Sequence, residues 1–188
     1  MNLNQTLLET LLEIQVLDRV PRSGYSLRGV PEPESVSEHS FHLTFLAWVL
    51  ADEEPELDRA RVMELALLHD VAEARFGDLP RSAAHYLPTG AKAIAETAAV
   101  EEILAPLGPR AAELYAEYAT RESREAQFVA ACDKLQLLIK TSAYEGWGSR
   151  GLQELWDATE PFPDGGFAGI RRIYDELRQR RKERAQQP

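Results

Sequence analysis

The chain has 188 residues, 44% of them hydrophobic and 28% charged, with a formal net charge of −10, which suits one water-borne domain with its own core. The acidic balance works against binding an extended nucleic-acid polymer, yet leaves room for a small phosphate ligand at a local cluster of cations. The longest apolar run, Phe45 to Ala51, is far short of a membrane span, no basic segment precedes an apolar block at the start, and the single Cys132 leaves no internal disulfide. A cytoplasmic protein without membrane contact is the expectation.

Apolar residues at Leu3, Leu7, Leu8, Leu11, Leu12, Val16 and Leu17 recur at helical spacing and predict a first helix that stops near Pro21. Residues 21–35 carry Pro21, Gly24, Gly29, Pro31 and Pro33 among bulky side chains, the composition of an ordered loop. Ser35 and Glu38 have the spacing of a capping box, so a second helix starts there. His39 falls in its first turn, ahead of Phe41, Phe45, Leu46, Trp48 and Val49. Asp58 is the cap of a third helix, expected to carry His69, Asp70 and Glu73 before the turn Gly77-Asp78-Leu79-Pro80.

Further helices are predicted over 91–104, 110–119 and 125–144. Gly146, Gly148 and Gly151 then interrupt the pattern ahead of a short helix over 152–158. Pro161, Pro163, Gly165 and Gly166 make a second break, and a last helix centres on 170–184 within a C-terminal segment of about 168–186. Arg178, Arg180, Arg181, Lys182 and Arg184 crowd that end and read as a solvated helix terminus complementing its dipole. No stretch shows strand alternation and no linker or repeat is evident, so the expectation is one all-α domain over 1–188.

His69 and Asp70 close an apolar run containing Val62, Met63, Leu65, Ala66, Leu67 and Leu68. Polar groups there cost stability unless something pairs with them. Asp133 lies inside the apolar stretch Phe128 to Ile139, where a buried carboxylate needs a cation or several donors. Lys134 beside it is expected to turn to another face. A divalent metal ion answers both demands, because neutral imidazole and carboxylate are its usual ligands.

His39 completes a set of His39, His69, Asp70 and Asp133, with His42 behind it or at the surface and His85 exposed in a loop. Mn²⁺, Co²⁺, Fe²⁺, Ni²⁺, Zn²⁺ and Mg²⁺ are the candidate ions. Such a site lowers the pKa of bound water. Glu73, four residues beyond His69 and so expected on the same helix face, would handle the proton. Arg19, Arg22 and Arg28 offer guanidinium forks for phosphate oxygens.

Three segments, RVPRSGYSLRGVPEPESVSEHSFHL (19–43), ALLHDVAEARFGDLP (66–80) and FVAACDKLQLLIKTSAYE (128–145), resemble the HD-domain phosphohydrolases. Within them the chain is similar to the 5'-deoxynucleotidase group that includes the HD-domain-containing protein 2 family, over most of residues 7–160. The resemblance implies a helical HD domain with the metal at the centre of the bundle, held by His39, His69, Asp70 and Asp133. It implies Glu73 as the catalytic carboxylate acting with metal-bound water, Arg19 as a phosphate contact and Asp78 as a contact to the sugar or a catalytic helper. The expected catalytic set is Glu73, Asp70 and Asp78, and Val20 and Arg28 join Arg19 and Asp78 in the expected substrate-binding set.

The reaction the resemblance implies is metal-dependent hydrolysis of a deoxyribonucleoside 5'-monophosphate to deoxyribonucleoside and phosphate, in a homodimer; the expectation for this chain is (deoxy)ribonucleoside 5'-monophosphates. Val20 is a departure: the bacterial deoxynucleotidases carry a bulky tryptophan at that place, so a barrier to ribonucleotides is not expected here. Cleavage of a nucleoside triphosphate or cyclic nucleotide is the second reading. A non-catalytic metal-binding module is the third, and Glu73 argues against it.

Overall fold

The computed structural model describes residues 3–186; Met1, Asn2, Gln187 and Pro188, the ends of the expected domain, lie outside the described residues. All named elements among them are helical, in keeping with the expected class. Helix α1 (Leu3–Glu13) tightens into a 3-10 turn over Ile14–Arg19, so the first helical stretch has two windings, and it ends where Val20 turns extended.

The loop that follows is ordered, as its composition suggests. It contains the single turn α2 (Ser23–Ser26). An antiparallel bridge between Pro21 and Ser35 pinches its two ends together, with Arg22 N–H donating to Glu34 O and Val36 N–H to Val20 O, each at 2.8 Å. Tyr25 anchors the loop from within: it is buried, and its hydroxyl donates to the Leu137 carbonyl at 2.8 Å. It packs there with Val30, Tyr144, Leu152 and Leu155.

Helix α3 (Val36–Leu50) begins on the expected capping box, with both reciprocal bonds of Ser35 and Glu38 formed. Helix α4 (Arg59–Leu68) starts at Asp58, whose carboxylate accepts from the Ala60 and Arg61 N–H groups. It does not run on through His69, Asp70 and Glu73 as expected. Residues 69–72 form turns instead, and Glu73 opens the short α5 (Glu73–Phe76).

Then come α6 (Arg81–Ala84), α7 (Ala91–Leu104), α8 (Pro109–Thr120), the long α9 (Arg124–Gly146), α10 (Gln153–Asp157) and α11 (Ala168–Ala185). Pro109 sits at the first position of α8, where its missing N–H costs nothing. Ser123 caps α9 through the Ala126 N–H.

The main core lies between α3, α4, α8, α9 and α11, around Leu43, Leu65, Phe128, Leu135, Leu138 and Ile170. Each such side chain contributes about 1.5–3 kcal/mol by leaving water. A second cluster seats the turn after α4: Val71 and Ala72 pack against Ile103, Leu104 and Tyr115. The basic end of α11 is more than a solvated terminus. Arg181 binds Glu145 on α9 through two nitrogens, at 2.7 and 2.9 Å, and stacks on Trp156. Arg184 donates to the Ser142 carbonyl at 2.9 Å and Arg178 pairs with Glu160. Guanidinium forks thus tie the last helix to the body of the fold.

Candidate metal centre

Three elements deliver the four expected ligands to one place. His39 enters from the first turn of α3 and is fully buried; Asp133 comes from the middle of α9; His69 and Asp70 come from the turn behind α4. His39 Nε2 lies 3.2 Å from His69 Nε2, 3.2 Å from Asp133 Oδ1 and 3.7 Å from Asp70 Oδ2. His69 Nε2 is 3.0 Å from Asp70 Oδ2. The ligating atoms of His39, His69 and Asp70 all lie within 4.8 Å of one another.

The outer nitrogens decide the chemistry of this cluster. His69 Nδ1 faces the Ala66 carbonyl at 2.8 Å, and His39 Nδ1 faces the Gln136 side-chain oxygen at 2.6 Å. Both Nδ1 atoms are therefore donors. In a neutral imidazole that leaves both Nε2 atoms as lone pairs. Two imidazole nitrogens and two carboxylate oxygens then converge, a donor set that fits a divalent cation.

The same hunger for positive charge appears at His69. Burial works against an imidazolium there, yet Asp70 and Asp133 outweigh it and hold the pKa above its ordinary value. Burial likewise works against both carboxylates, but His69, Arg22 and His39 hold Asp70 well below its usual range. Lys134, His39 and His69 do so for Asp133. Lys134 does not turn away from its neighbour, as expected, but bends back to Asp133 Oδ2 at 2.8 Å. A flexible four-carbon stem spans the angle between adjacent helix positions.

The turn over 69–72 sets the geometry. Val71, Glu73, Ala74 and Arg75 each bond three residues back, to Leu68, Asp70, Val71 and Ala72. Glu73 is thus not one α-turn beyond His69 on a shared helix face; it starts a new helix, fully packed away at 2% exposure. Its Oε2 is buried without a hydrogen-bond partner. Burial, then Asp70 and Asp78, push its carboxyl up to about 10. The Tyr118 ring stands edge-on to His69, 5.6 Å between centroids, and walls the cluster on the α8 side.

Of the arginines, Arg22 reaches the centre. Its Nη1 lies 3.1 Å from Asp70 Oδ2 and 3.8 Å from Asp78 Oδ1. Burial opposes its charge, but Asp70 and Asp78 more than restore it and raise its pKa. Asp78 holds this loop in place, accepting from Ser23 N–H at 2.6 Å while its carbonyl accepts from the Ser23 hydroxyl. Val20 packs toward Gly77, where an added Cβ would lie 4.0 Å from its Cγ1.

Arg19 is exposed at the end of the 3-10 turn. Arg28 lies apart from the centre: it donates to Gly24 O at 2.7 Å and to Glu154 on α10 at 2.6 Å. His42 is half exposed, 3.6 Å from Glu34. Arg22 had no signal in the sequence to rank it above the other two, because its partners lie 48 and more residues away.

The chain matches the model of the HD-domain family over residues 14–157. It is 36% identical over 161 residues to the human 5'-deoxynucleotidase HDDC2, covering 82% of this chain and 77% of that one. It is 26% identical over 135 residues to the 5'-deoxynucleotidase hdd1 of Schizosaccharomyces pombe, covering 69% and 67%. Among solved structures, a conserved hypothetical protein from Pyrococcus furiosus superposes with a TM-score of 0.78 at 34% identity, over 92% of this chain and 99% of that one. A predicted metal-dependent phosphohydrolase from Magnetospirillum magnetotacticum does so at 0.70 and 27% identity, over 94% and 93%.

Proposed function

The chain belongs to the HD-domain 5'-deoxynucleotidase family and is a metal-dependent nucleotide phosphohydrolase; on that premise we propose that it hydrolyses deoxyribo- and ribonucleoside 5'-monophosphates, with His39, His69, Asp70 and Asp133 holding the metal. The observation that carries this reading is the convergence of two Nε2 lone pairs and two carboxylates beside a buried, unpartnered glutamate and a guanidinium. Mixed nitrogen and oxygen donors favour a first-row ion such as Mn²⁺, Co²⁺, Fe²⁺, Ni²⁺ or Zn²⁺ over Mg²⁺. The chemistry such an ion supplies when bound is Lewis acidity toward a phosphoryl oxygen and a lowered pKa for a coordinated water.

The protein's own groups do the rest. Arg22 turns its fork from Asp70 to the phosphate oxygens and spreads the charge that builds on them. Burial and the negative field of Asp70 and Asp78 keep Glu73 protonated in the absence of a cation. With a cation among the ligands to offset that field, Glu73 Oε2, which has no other partner, is freed to take the proton of the water that attacks phosphorus. The P–O5' bond breaks as the new P–O bond forms, and the same carboxyl returns the proton to the leaving 5'-oxygen. Asp78 fixes the Arg22–Ser23 backbone that positions the fork. At Val20 there is no bulky wall against a 2'-hydroxyl, which is why both sugar series are included.

We assign a second copy of the chain to the outer face of α3. Its inner face (His39, Leu43, Ala47, Leu50) is buried, yet Phe41, Phe45 and Trp48 are 67%, 57% and 51% exposed in a ring-to-ring stripe. A helix apolar on both faces belongs inside an assembly, and a stripe of stacked rings on one helix suits isologous pairing about a two-fold axis. No helix among the described residues is long and apolar enough to cross a membrane, and the lone buried thiol of Cys132 suits the reducing cytoplasm.

The test is phosphate release by metal-stripped protein reloaded with Mn²⁺, Co²⁺ or Mg²⁺, offered paired deoxyribo- and ribonucleoside 5'-monophosphates. Release from both series is expected. Release from triphosphates or cyclic nucleotides alone would overturn the substrate assignment.

A further inference from the structure

Behind the metal cluster lies a carboxylate that neither the ligand set nor the mechanism uses. Glu34, at the end of the ordered loop, has a side chain only 1% exposed. Its backbone N–H donates to the Tyr144 hydroxyl at 2.7 Å, which fixes where it stands. Its Oε2 accepts from the Gln136 side-chain nitrogen at 3.2 Å, with Lys140 Nζ at 3.3 Å and His42 Nδ1 at 3.6 Å. Its Oε1 is buried, has no hydrogen-bond partner and lies 3.9 Å from His39 Nδ1.

Gln136 stands between this carboxylate and His39, three residues after Asp133 on α9. A side-chain amide has one accepting end and one donating end. A carboxylate oxygen that faces the Lys140 ammonium at 3.3 Å accepts, so the amide nitrogen must face Glu34; the reversed amide would set two acceptors 3.2 Å apart. The amide oxygen is then compelled to face His39, where it lies 2.6 Å from Nδ1. That oxygen can only accept a hydrogen bond from Nδ1–H, and in the neutral ring Nε2 then carries no proton.

We infer that Glu34 and Gln136 are positioning residues: the carboxylate sets the direction of the amide, and the amide locks His39 in the Nδ1–H tautomer whose Nε2 lone pair faces the metal. This is a carboxylate–histidine pairing of the kind that orients metal ligands, with an amide inserted between the two. The inference rests on the reading of His39 as a metal ligand. A merely structural part for Glu34, tying the loop to α9 through Lys140, would leave the tautomer of His39 untouched.

The experiment compares wild type with Glu34→Gln, Gln136→Leu, Gln136→Glu and His39→Ala. Nitrogen-15 NMR of the histidine rings in Zn²⁺-loaded protein reads which ring nitrogen keeps its proton, with His39→Ala identifying the His39 signals. Calorimetric titration with Mn²⁺ and Co²⁺ reads affinity. In wild type His39 is expected as the Nδ1–H form. Glu34→Gln frees the amide to turn and Gln136→Leu removes the acceptor, so both should shift His39 toward Nε2–H and weaken metal binding by about 10- to 100-fold.

Gln136→Glu restores an acceptor at Nδ1, with one proton shared between the facing carboxyl groups of residues 34 and 136, and should bind metal more tightly than Gln136→Leu. Wild-type tautomer and affinity in Glu34→Gln would overturn the inference. Gln136→Leu asks the same question from the other end of the relay should Glu34→Gln fail to fold. Undiminished metal affinity in His39→Ala would instead remove the ligand assignment itself. Loss in His39→Ala with none in Glu34→Gln or Gln136→Leu would remove only the relay.

Discussion

Arg22→Ala should cost the phosphohydrolase most of its hold on the phosphate while Arg19→Ala should cost it little. Family resemblance points to Arg19 as the phosphate contact, whereas the fold sends Arg19 to the surface and Arg22 to Asp70 and Asp78. Charge-assisted hydrogen bonds are worth about 1.5–3 kcal/mol each, so truncating the fork in Arg22→Ala removes at least one such bond to phosphate. At about 1.36 kcal/mol per tenfold in rate, kcat/KM should fall roughly 10- to 150-fold. Arg22→Lys keeps the charge beside Asp70 but loses the two-pronged geometry, and should fall between the two. Arg19→Ala should stay within about threefold of wild type, the range of an exposed surface change of under about 0.7 kcal/mol. The assay is steady-state phosphate release by metal-loaded protein, with bound metal measured for each variant so that a loosened Asp70 is not mistaken for lost phosphate binding. Wild-type kcat/KM in Arg22→Ala, with a collapse in Arg19→Ala, would refute the assignment.

Glu73→Gln should retain wild-type metal stoichiometry and lose about 10²- to 10⁴-fold in kcat, the span of general acid–base catalysis; full activity would exclude Glu73 from proton transfer. Removing metal with a chelator should lower the melting temperature: a ligand at about 100 times its Kd contributes about 2.7 kcal/mol, or about 5–11 °C for a chain of this size, and readdition should restore it. An unchanged melting temperature would mean that the four ligands do not act as one site in the folded state. If a second copy sits on α3 as proposed, Phe45→Glu and Trp48→Glu should halve the mass seen by light scattering after size exclusion while leaving the melting temperature of the monomer high; an unchanged mass would overturn pairing through α3.

What could be read from the sequence was local, or announced itself by being out of place. Ser35 and Glu38 define a helix start within four residues, and both reciprocal bonds are there. Asp133 stood out because a carboxylate in an apolar run has to be paid for by a cation, and His69-Asp70 stood out for the same reason. The turn over 69–72 announces nothing: Leu68 to Ala74 contains neither glycine nor proline, and the i→i−3 bonding there accompanies the burial of Val71 and Ala72 against Ile103, Leu104 and Tyr115. An ideal helix would splay adjacent side chains by about 100°, whereas here His69 Nε2 and Asp70 Oδ2 come within 3.0 Å. Arg22 and Glu34 were illegible for a different reason. Their roles depend on the bridge between Pro21 and Ser35, which sets Arg22 against one side of the centre and Glu34 behind the other. A candidate ligand is visible in a sequence because burial makes its chemistry anomalous; the groups proposed to aim it sit in ordinary loop and helix positions, and only the closed loop shows what they face.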